Sequence, residues 1–131
     1  MSFEQSVRQI VQDYDLVLLV TFGSYKTERF TDRSDIDVGY VSRSPLDARE
    51  QLGLLGDLVV LFKRDGIDLV DLSRANPLLL YEVASNSRVL YEEEDSYLKF
   101  KLKASARYAD TKFLRQLRKE YLNSLIRETG E

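Results

Sequence analysis

A strand that ends in a glycine and a serine constrains this chain most. Leu16–Phe22 is an almost wholly apolar run of strand length, and Gly23-Ser24 follows it directly. After ten further residues the chain reads Asp35-Ile36-Asp37, at the start of a second, alternating segment. An unbroken apolar run is typical of a strand covered on both faces, and carboxylates at alternate strand positions share one face. The pattern predicts an α/β domain in which a backbone turn lies near two carboxylates.

The absence of two residue types narrows the chemistry. The chain contains no histidine and no cysteine, which excludes imidazole bases, zinc hydrolases, Ser-His-Asp triads and thiolate nucleophiles. Any metal ion must be held by oxygen, and this favours hard ions such as Mg²⁺ or Mn²⁺. The net charge of −3 and the pI near 5.1 give no general attraction to nucleic acid, so we expect no direct nucleic-acid binding.

The length of 131 residues supports one domain with one core. No apolar run approaches the ~20 residues that span a bilayer, and the first residues carry no signal-peptide pattern. We therefore expect a cytoplasmic protein without membrane contact. We divide this single domain into a main part over residues 1–95 and a C-terminal helix over residues 96–131, which we expect to pack on the domain or on a partner.

Periodicity and turn signals predict the order α, β, loop, β, α, β, α, β, α, which is a small α/β (α+β) fold whose sheet is flanked by helices. A capping box of Ser2 and Gln5 predicts the first helix. Ser44-Pro45 and Asn76-Pro77 predict two helix starts, and a short helical turn is expected from Tyr25. The predicted strands are 16–22, 35–41, 67–72 and 88–91, and one long helix is predicted from residue 96 to about 127.

The acidic residues are the candidate metal ligands. Asp35 and Asp37 lie roughly 6.6 Å apart along one strand face, so they can share a divalent ion or bracket a pair of ions. Asp68 is the natural third ligand if its strand lies beside theirs. A solvated surface pair is the alternative, although an apolar strand disfavours unpaired charges. Asp71 has the opposite parity, and we expect it to order the turn that follows.

Gly23-Ser24 is the candidate phosphate-binding turn. Glycine allows close approach of the backbone to a phosphate, and the serine hydroxyl and backbone N–H can bind its oxygens. Lys26, Arg29 and Arg33 are candidates for holding a leaving pyrophosphate, or else they are solvated loop charges.

These residues resemble the minimal nucleotidyltransferases of the DNA polymerase β-like superfamily, whose signature is Gly-Ser, ten residues and Asp-X-Asp. More narrowly, the chain resembles the MNT antitoxins of HEPN/MNT toxin–antitoxin pairs. The segments that carry this resemblance are Phe22-Gly23-Ser24-Tyr25, Ser34-Asp35-Ile36-Asp37-Val38, Ile67-Asp68-Leu69-Val70-Asp71-Leu72 and Val89-Leu90-Tyr91-Glu92. The resemblance implies a polymerase β palm-like fold with a mixed sheet and a long C-terminal helix.

The resemblance also implies a function. Asp35, Asp37 and Asp68 would bind Mg²⁺ or Mn²⁺, Gly23-Ser24 would hold the triphosphate of ATP, and AMP would pass to a tyrosine of a HEPN ribonuclease toxin in a hetero-oligomer. Two alternatives stay open: an antitoxin that acts by steric binding alone, and AMP transfer to a small molecule. A few residues after the serine, where relatives usually carry glycine, this chain has Glu28, and an acid near the triphosphate is unfavourable unless its side chain points away.

The C-terminal segment carries many basic residues within an acidic protein. They are Lys99, Lys101, Lys103, Arg107, Lys112, Arg115, Arg118 and Lys119. Such a run is usually a solvated helix surface. The functional interpretation is a docking element for an acidic partner or for the RNA of that partner.

Overall fold

In the part of the chain that this computed structural model describes, four strands and five helices build the domain. The structure describes residues 1–25, 28–31 and 33–129, with the backbone alone at 113, 128 and 129. The elements in chain order are α1 (Phe3–Tyr14), β1 (Leu16–Phe22), β2 (Ile36–Ser42), α2 (Ala48–Phe62), β3 (Ile67–Asp71), α3 (Pro77–Ser85), β4 (Ser87–Glu92), α4 (Ser96–Asp110) and α5 (Lys112–Thr129). The predicted element order is confirmed through β4, and so are all four strands, with ends that differ by at most one residue.

The sheet is mixed, with the strand order β3-β2-β1-β4. The long loop returns β2 antiparallel to β1, and β4 is also antiparallel to β1. The connection through α2 makes β3 parallel to β2, as expected when a helix joins two neighbouring strands. This topology places the end of β1 at the same edge of the sheet as the starts of the other three strands.

Both faces of the sheet are covered by apolar side chains. On one face Leu19, Val38 and Tyr40 pack with α1 and α2. On the other face Leu18 and Val20 pack with α3 and α4. Continuous burial along β1 follows from this arrangement, because successive residues point to opposite faces and each face has its own apolar cluster.

Helix starts follow their capping residues, and one prediction was wrong. Ser2 and Gln5 form the predicted capping box, and Asn76 caps α3 ahead of Pro77. Helix α2 does not begin at Ser44-Pro45. It begins after Asp47, whose side chain accepts a hydrogen bond from the backbone N–H of Glu50 at 2.8 Å, while the Glu50 side chain accepts from Asp47 N–H at 3.1 Å. These two reciprocal hydrogen bonds satisfy two backbone N–H groups that have no partner within the helix.

The C-terminal segment is two helices and not the single helix predicted. Helix α4 ends at Asp110, and α5 begins at Lys112 after a break at Thr111. Helix α4 belongs to the core, since its residues Phe100 and Ala104 are buried. No helix in the described parts of the chain is both long and apolar enough to cross a membrane.

Candidate active site

Two of the candidate carboxylates lie side by side on neighbouring strands. Asp37 on β2 is the register partner of Asp68 on β3. Register partners on adjacent strands point to the same face of a sheet and lie about 4.8 Å apart. The predicted condition for Asp68 is therefore met, because its strand lies directly beside the strand of Asp37. Asp37 is half-buried, and Asp68 is exposed.

Gly23 lies directly against the carboxylate of Asp37. It occupies the left-handed region at φ +74°, which L side chains rarely adopt. A Cβ atom added here would overlap Oδ2 of Asp37 and lie 3.4 Å from its Cγ. The glycine is required twice, once for its backbone angle and once for the space that Asp37 occupies. The turn after β1 is thereby held against the carboxylate pair.

Asp35 lies against a second glycine. It comes immediately before β2, and the backbone N–H of Ile36 donates to the carbonyl oxygen of Gly66 at 2.8 Å. A Cβ atom at Gly66 would lie 2.5 Å from Oδ1 of Asp35. The Asp35 carboxylate therefore lies close to the start of β3.

The electrostatics of the site come from these three carboxylates. Burial raises the pKa of Asp37 above its ordinary value, and the charges of Asp68 and Asp35 raise it further. Each ionised neighbour thus makes the Asp37 carboxylate harder to ionise. In the described parts of the chain, no three His, Cys, Asp or Glu side chains form a cluster that could hold a metal ion.

The residues nevertheless fit a hard divalent cation in chemical type. All three candidates supply carboxylate oxygen, which Mg²⁺ and Mn²⁺ prefer. A cation held by Asp37 and Asp68 would relieve the repulsion that raises the Asp37 pKa. The ligand role of Asp35, Asp37 and Asp68 stays a prediction.

The basic residues predicted near the phosphates are only partly placed. Lys26 lies outside the described residues. Arg29 and Arg33 are exposed. Arg33 lines an open cleft of about 440 Å³ beside Asp35, together with Lys63 at the end of α2. Of the predicted cations, Arg33 therefore lies in the same cleft as Asp35, and this cleft admits solvent.

The turn after Gly23-Ser24 departs from the prediction in part. Residues 23–25 and 28–29 are turns and not helix, and residues 26 and 27 lie outside the described residues. Glu28 is exposed. The expected role of Asp71 is confirmed, because its Oδ1 accepts a hydrogen bond from the backbone N–H of Ser73 at 3.0 Å. Asp71 orders that turn.

Arg64 is a residue that the sequence analysis missed. Its Nη2 donates to the carbonyl oxygen of Ser34 at 2.6 Å and to that of Thr31 at 3.3 Å. Its guanidinium lies 4.6 Å from the centre of the Phe30 ring, within cation–π range. Arg64 thus ties the loop that precedes Asp35 to the end of α2.

A cluster of aromatic rings also holds this loop. The rings of Tyr25 and Phe30 meet edge to face at 5.3 Å, and Tyr25 meets Phe62 of α2 at 5.5 Å. Tyr25 directly follows Gly23-Ser24, so the cluster fixes the turn and the loop to one helix. Edge-to-face pairs of this kind add stability beyond the area they bury.

Comparison with known proteins identifies the family. Residues 5–96 match the family model described as polymerase beta, nucleotidyltransferase. The chain belongs to this nucleotidyltransferase family. It is also 28% identical over 138 residues to the protein adenylyltransferase MntA of Aphanizomenon flos-aquae (strain 2012/KM1/D3), covering 97% of this chain and 91% of that protein.

Two solved structures resemble the whole chain. A crystal structure of a toxin-antitoxin with AMP-PNP aligns with a TM-score of 0.72 and 25% identity, over 94% of this chain and 98% of that one. A structure of the tri-AMPylated Shewanella oneidensis HEPN toxin in complex with MNT antitoxin aligns with a TM-score of 0.69 and 25% identity, over 95% and 96%. The predicted nucleotidyltransferase fold and the predicted likeness to MNT antitoxins are confirmed.

Proposed function

We propose that this chain is an antitoxin that transfers AMP from ATP to a tyrosine of a HEPN-family ribonuclease and thereby neutralises it. The observation that carries the proposal is the register of Asp37 with Asp68, with Gly23 packed against Asp37. A carboxylate pair beside a glycine turn is the arrangement that a nucleotidyl transfer needs, because catalysis of phosphoryl transfer is mostly positioning and charge neutralisation.

The relatives support the choice of substrate and partner. One relative over nearly the whole chain is named a protein adenylyltransferase. A structurally similar toxin–antitoxin was solved with AMP-PNP, and another contains an AMPylated HEPN toxin. We therefore assign ATP as the substrate and a HEPN toxin as the acceptor and partner in a hetero-oligomer.

The glycine turn binds the triphosphate in this proposal. Gly23 presents backbone without a side chain, and Ser24 adds a hydroxyl and a backbone N–H to the phosphate oxygens. Arg33, beside Asp35 in the open cleft, attracts the β- and γ-phosphates, with Lys26 and Arg29 as further candidates from the same loop. Positive charge at this position stabilises the pyrophosphate that leaves.

Asp35, Asp37 and Asp68 would hold Mg²⁺ or Mn²⁺. When bound, a divalent ion supplies neutralisation of the phosphate charge. The carboxylates of this chain orient the nucleotide and receive the proton. The tyrosine oxygen of the partner bonds to the α-phosphorus, the bond between the α- and β-phosphates breaks, and pyrophosphate leaves. The phenolic proton passes to exposed Asp68 and from there to solvent.

Labelled transfer tests the proposal. The chain is incubated with ATP labelled at the α-phosphate, Mg²⁺ and the HEPN-family ribonuclease proposed as its partner. We expect label on the HEPN protein with the wild type and none with Asp35→Asn/Asp37→Asn. The control is Asp95→Asn/Asp110→Asn, which removes the same charge from exposed positions on α4 and its N-cap.

Two results would contradict the proposal. Transfer by Asp35→Asn/Asp37→Asn at the wild-type rate would remove the carboxylates from the chemistry. Neutralisation of the ribonuclease without ATP and without label would identify an antitoxin that acts by steric binding alone.

A further inference from the structure

Helix α5 carries a row of exposed apolar side chains. They are between 39% and 65% exposed. Successive members lie three, four or one residue apart, so they cover one side of the helix. We call this set the α5 stripe, and its members are Leu114, Leu117, Tyr121, Leu122, Leu125 and Ile126. Contiguous apolar patches of more than a few hundred Å² mark interaction surfaces on soluble proteins.

The domain itself does not cover the α5 stripe. Among the α5 side chains that the structure describes, only Arg115 is even partly buried. An isolated helix of this length is marginal in water, and most helix stability comes from packing of its apolar face. The stripe therefore needs a cover from outside the domain.

Side-chain contacts fix the joint between α4 and α5, so α5 extends from the domain in a defined direction. Arg115 lies 3.8 Å from the centre of the Tyr108 ring and donates to the Thr111 hydroxyl at 2.9 Å. Its Nη2 also donates to the carbonyl oxygen of Tyr108 at 3.1 Å. Tyr108 in turn stacks on Tyr81 of α3 at 3.9 Å. This chain of contacts ties the start of α5 to the core helices.

The charge of α5 indicates the kind of surface that covers it. The helix has five basic and two acidic residues, in a chain whose net charge is −3. Exposed Lys119 lies at the edge of the stripe, and exposed Arg118 lies within it, one helical turn from Leu114 and Leu122. Two copies of α5 packed stripe to stripe would bring their arginines together, and like charges across an interface are unfavourable. A partner with an apolar groove and an acidic rim has no such conflict.

We propose that the α5 stripe is the surface on which the HEPN partner docks, through an apolar groove with an acidic rim. This proposal rests on the proposed function for the identity of the partner. It differs from the sequence-based docking hypothesis, because apolar side chains carry the contact. The basic residues do not form one face: Lys101 lies over the Tyr97 ring, whereas Lys99 and Lys103 line a cavity with Ser73.

The test places one new carboxylate on each side of the same helix. Tyr121→Glu and Leu117→Glu lie in the stripe, and Asn123→Glu is the control. At about 100° per residue, Asn123 lies roughly 200° around the helix from Tyr121. Binding of the proposed HEPN partner is measured by calorimetry, helix content by circular dichroism and self-association by sedimentation velocity.

We expect Tyr121→Glu and Leu117→Glu to weaken binding at least about thirtyfold, as for central residues of an interface. Asn123→Glu should bind within about twofold of the wild type. Equal binding by all three variants would overturn the proposal, as would loss of self-association in place of partner binding, or no partner binding by the wild type. Binding through α5 without AMP transfer would leave the docking surface standing and refute the proposed function.

Discussion

Replacement of Gly23 by alanine is expected to damage both stability and activity. An L residue at φ +74° costs about 1–2 kcal/mol in backbone strain. The added Cβ overlaps Oδ2 of Asp37, so that oxygen must move by about 1 Å to reach an ordinary contact distance. Steric overpacking of this kind costs about 1–3 kcal/mol. Asp37 is only half-buried and can turn, so we expect the lower end, a total loss of about 2 kcal/mol.

The loss of activity should be larger than the loss of stability implies. A displacement of about 1 Å in a reacting group can lower a rate about 100-fold. We therefore expect Gly23→Ala to remain folded at room temperature and to transfer AMP about 100-fold more slowly than the wild type. The free energy of unfolding is measured in urea, and the rate is measured with labelled ATP and the HEPN partner.

Gly56→Ala is the matched control. Gly56 lies inside α2, and a Cβ atom added there meets no heavy atom within 4 Å. Alanine is the better helix former by about 1 kcal/mol. This variant should be more stable than the wild type, with an unchanged transfer rate. If Gly23→Ala matches the wild type in both stability and rate, the contact between the turn and Asp37 has no role in the site.

Two further substitutions test other parts of the site. Arg64→Gln removes the hydrogen bonds to Thr31 and Ser34, so we expect the turnover number for AMP transfer to fall about tenfold. Arg64→Lys should recover only part of this turnover number. The exposed control Arg49→Gln should leave it unchanged. Equal turnover numbers for the wild type and all three variants would contradict this role of Arg64. Without metal, Asp37→Asn should be more stable than the wild type by about 1 kcal/mol at pH 7, as for two charges about 4 Å apart in water. Because the pKa of Asp37 is raised from 3.8 in the folded state, its ionisation lowers stability as the pH rises above 3.8. The advantage should vanish below pH 3.8 in urea titrations, and an advantage that persists there would refute the electrostatic cause.

Local signals predicted most of the fold. The apolar run of β1 and the alternation of β2 are strong patterns, and the Asn76-Pro77 helix start is confirmed. The predicted start of α2 was wrong, because the helix begins at the capping box of Asp47 and Glu50 and not at Ser44-Pro45. The break at Thr111 was missed, since its hydroxyl and Arg115 stabilise a joint that leaves no turn signature in the sequence.

The sequence predicted the acidic residues of the site but not the contacts of the residues around them. The parity of Asp37 and Asp68 predicted their shared face, once β2 and β3 were taken as neighbours. The role of Arg64 could not be read from sequence, because its hydrogen bonds go to backbone carbonyls about 30 residues away. Side-chain patterns carry no information about such partners. The contact of Gly23 with Asp37 likewise depends on the register between β1 and β2.

The most direct test is a crystal structure of the chain with AMP-PNP and Mg²⁺. We expect one ion bound by oxygens of Asp35, Asp37 and Asp68 at about 2.1 Å. The triphosphate should lie on the backbone N–H groups of the turn at Gly23-Ser24. A nucleotide bound elsewhere, or a site without an ion while the nucleotide is present, would contradict the account.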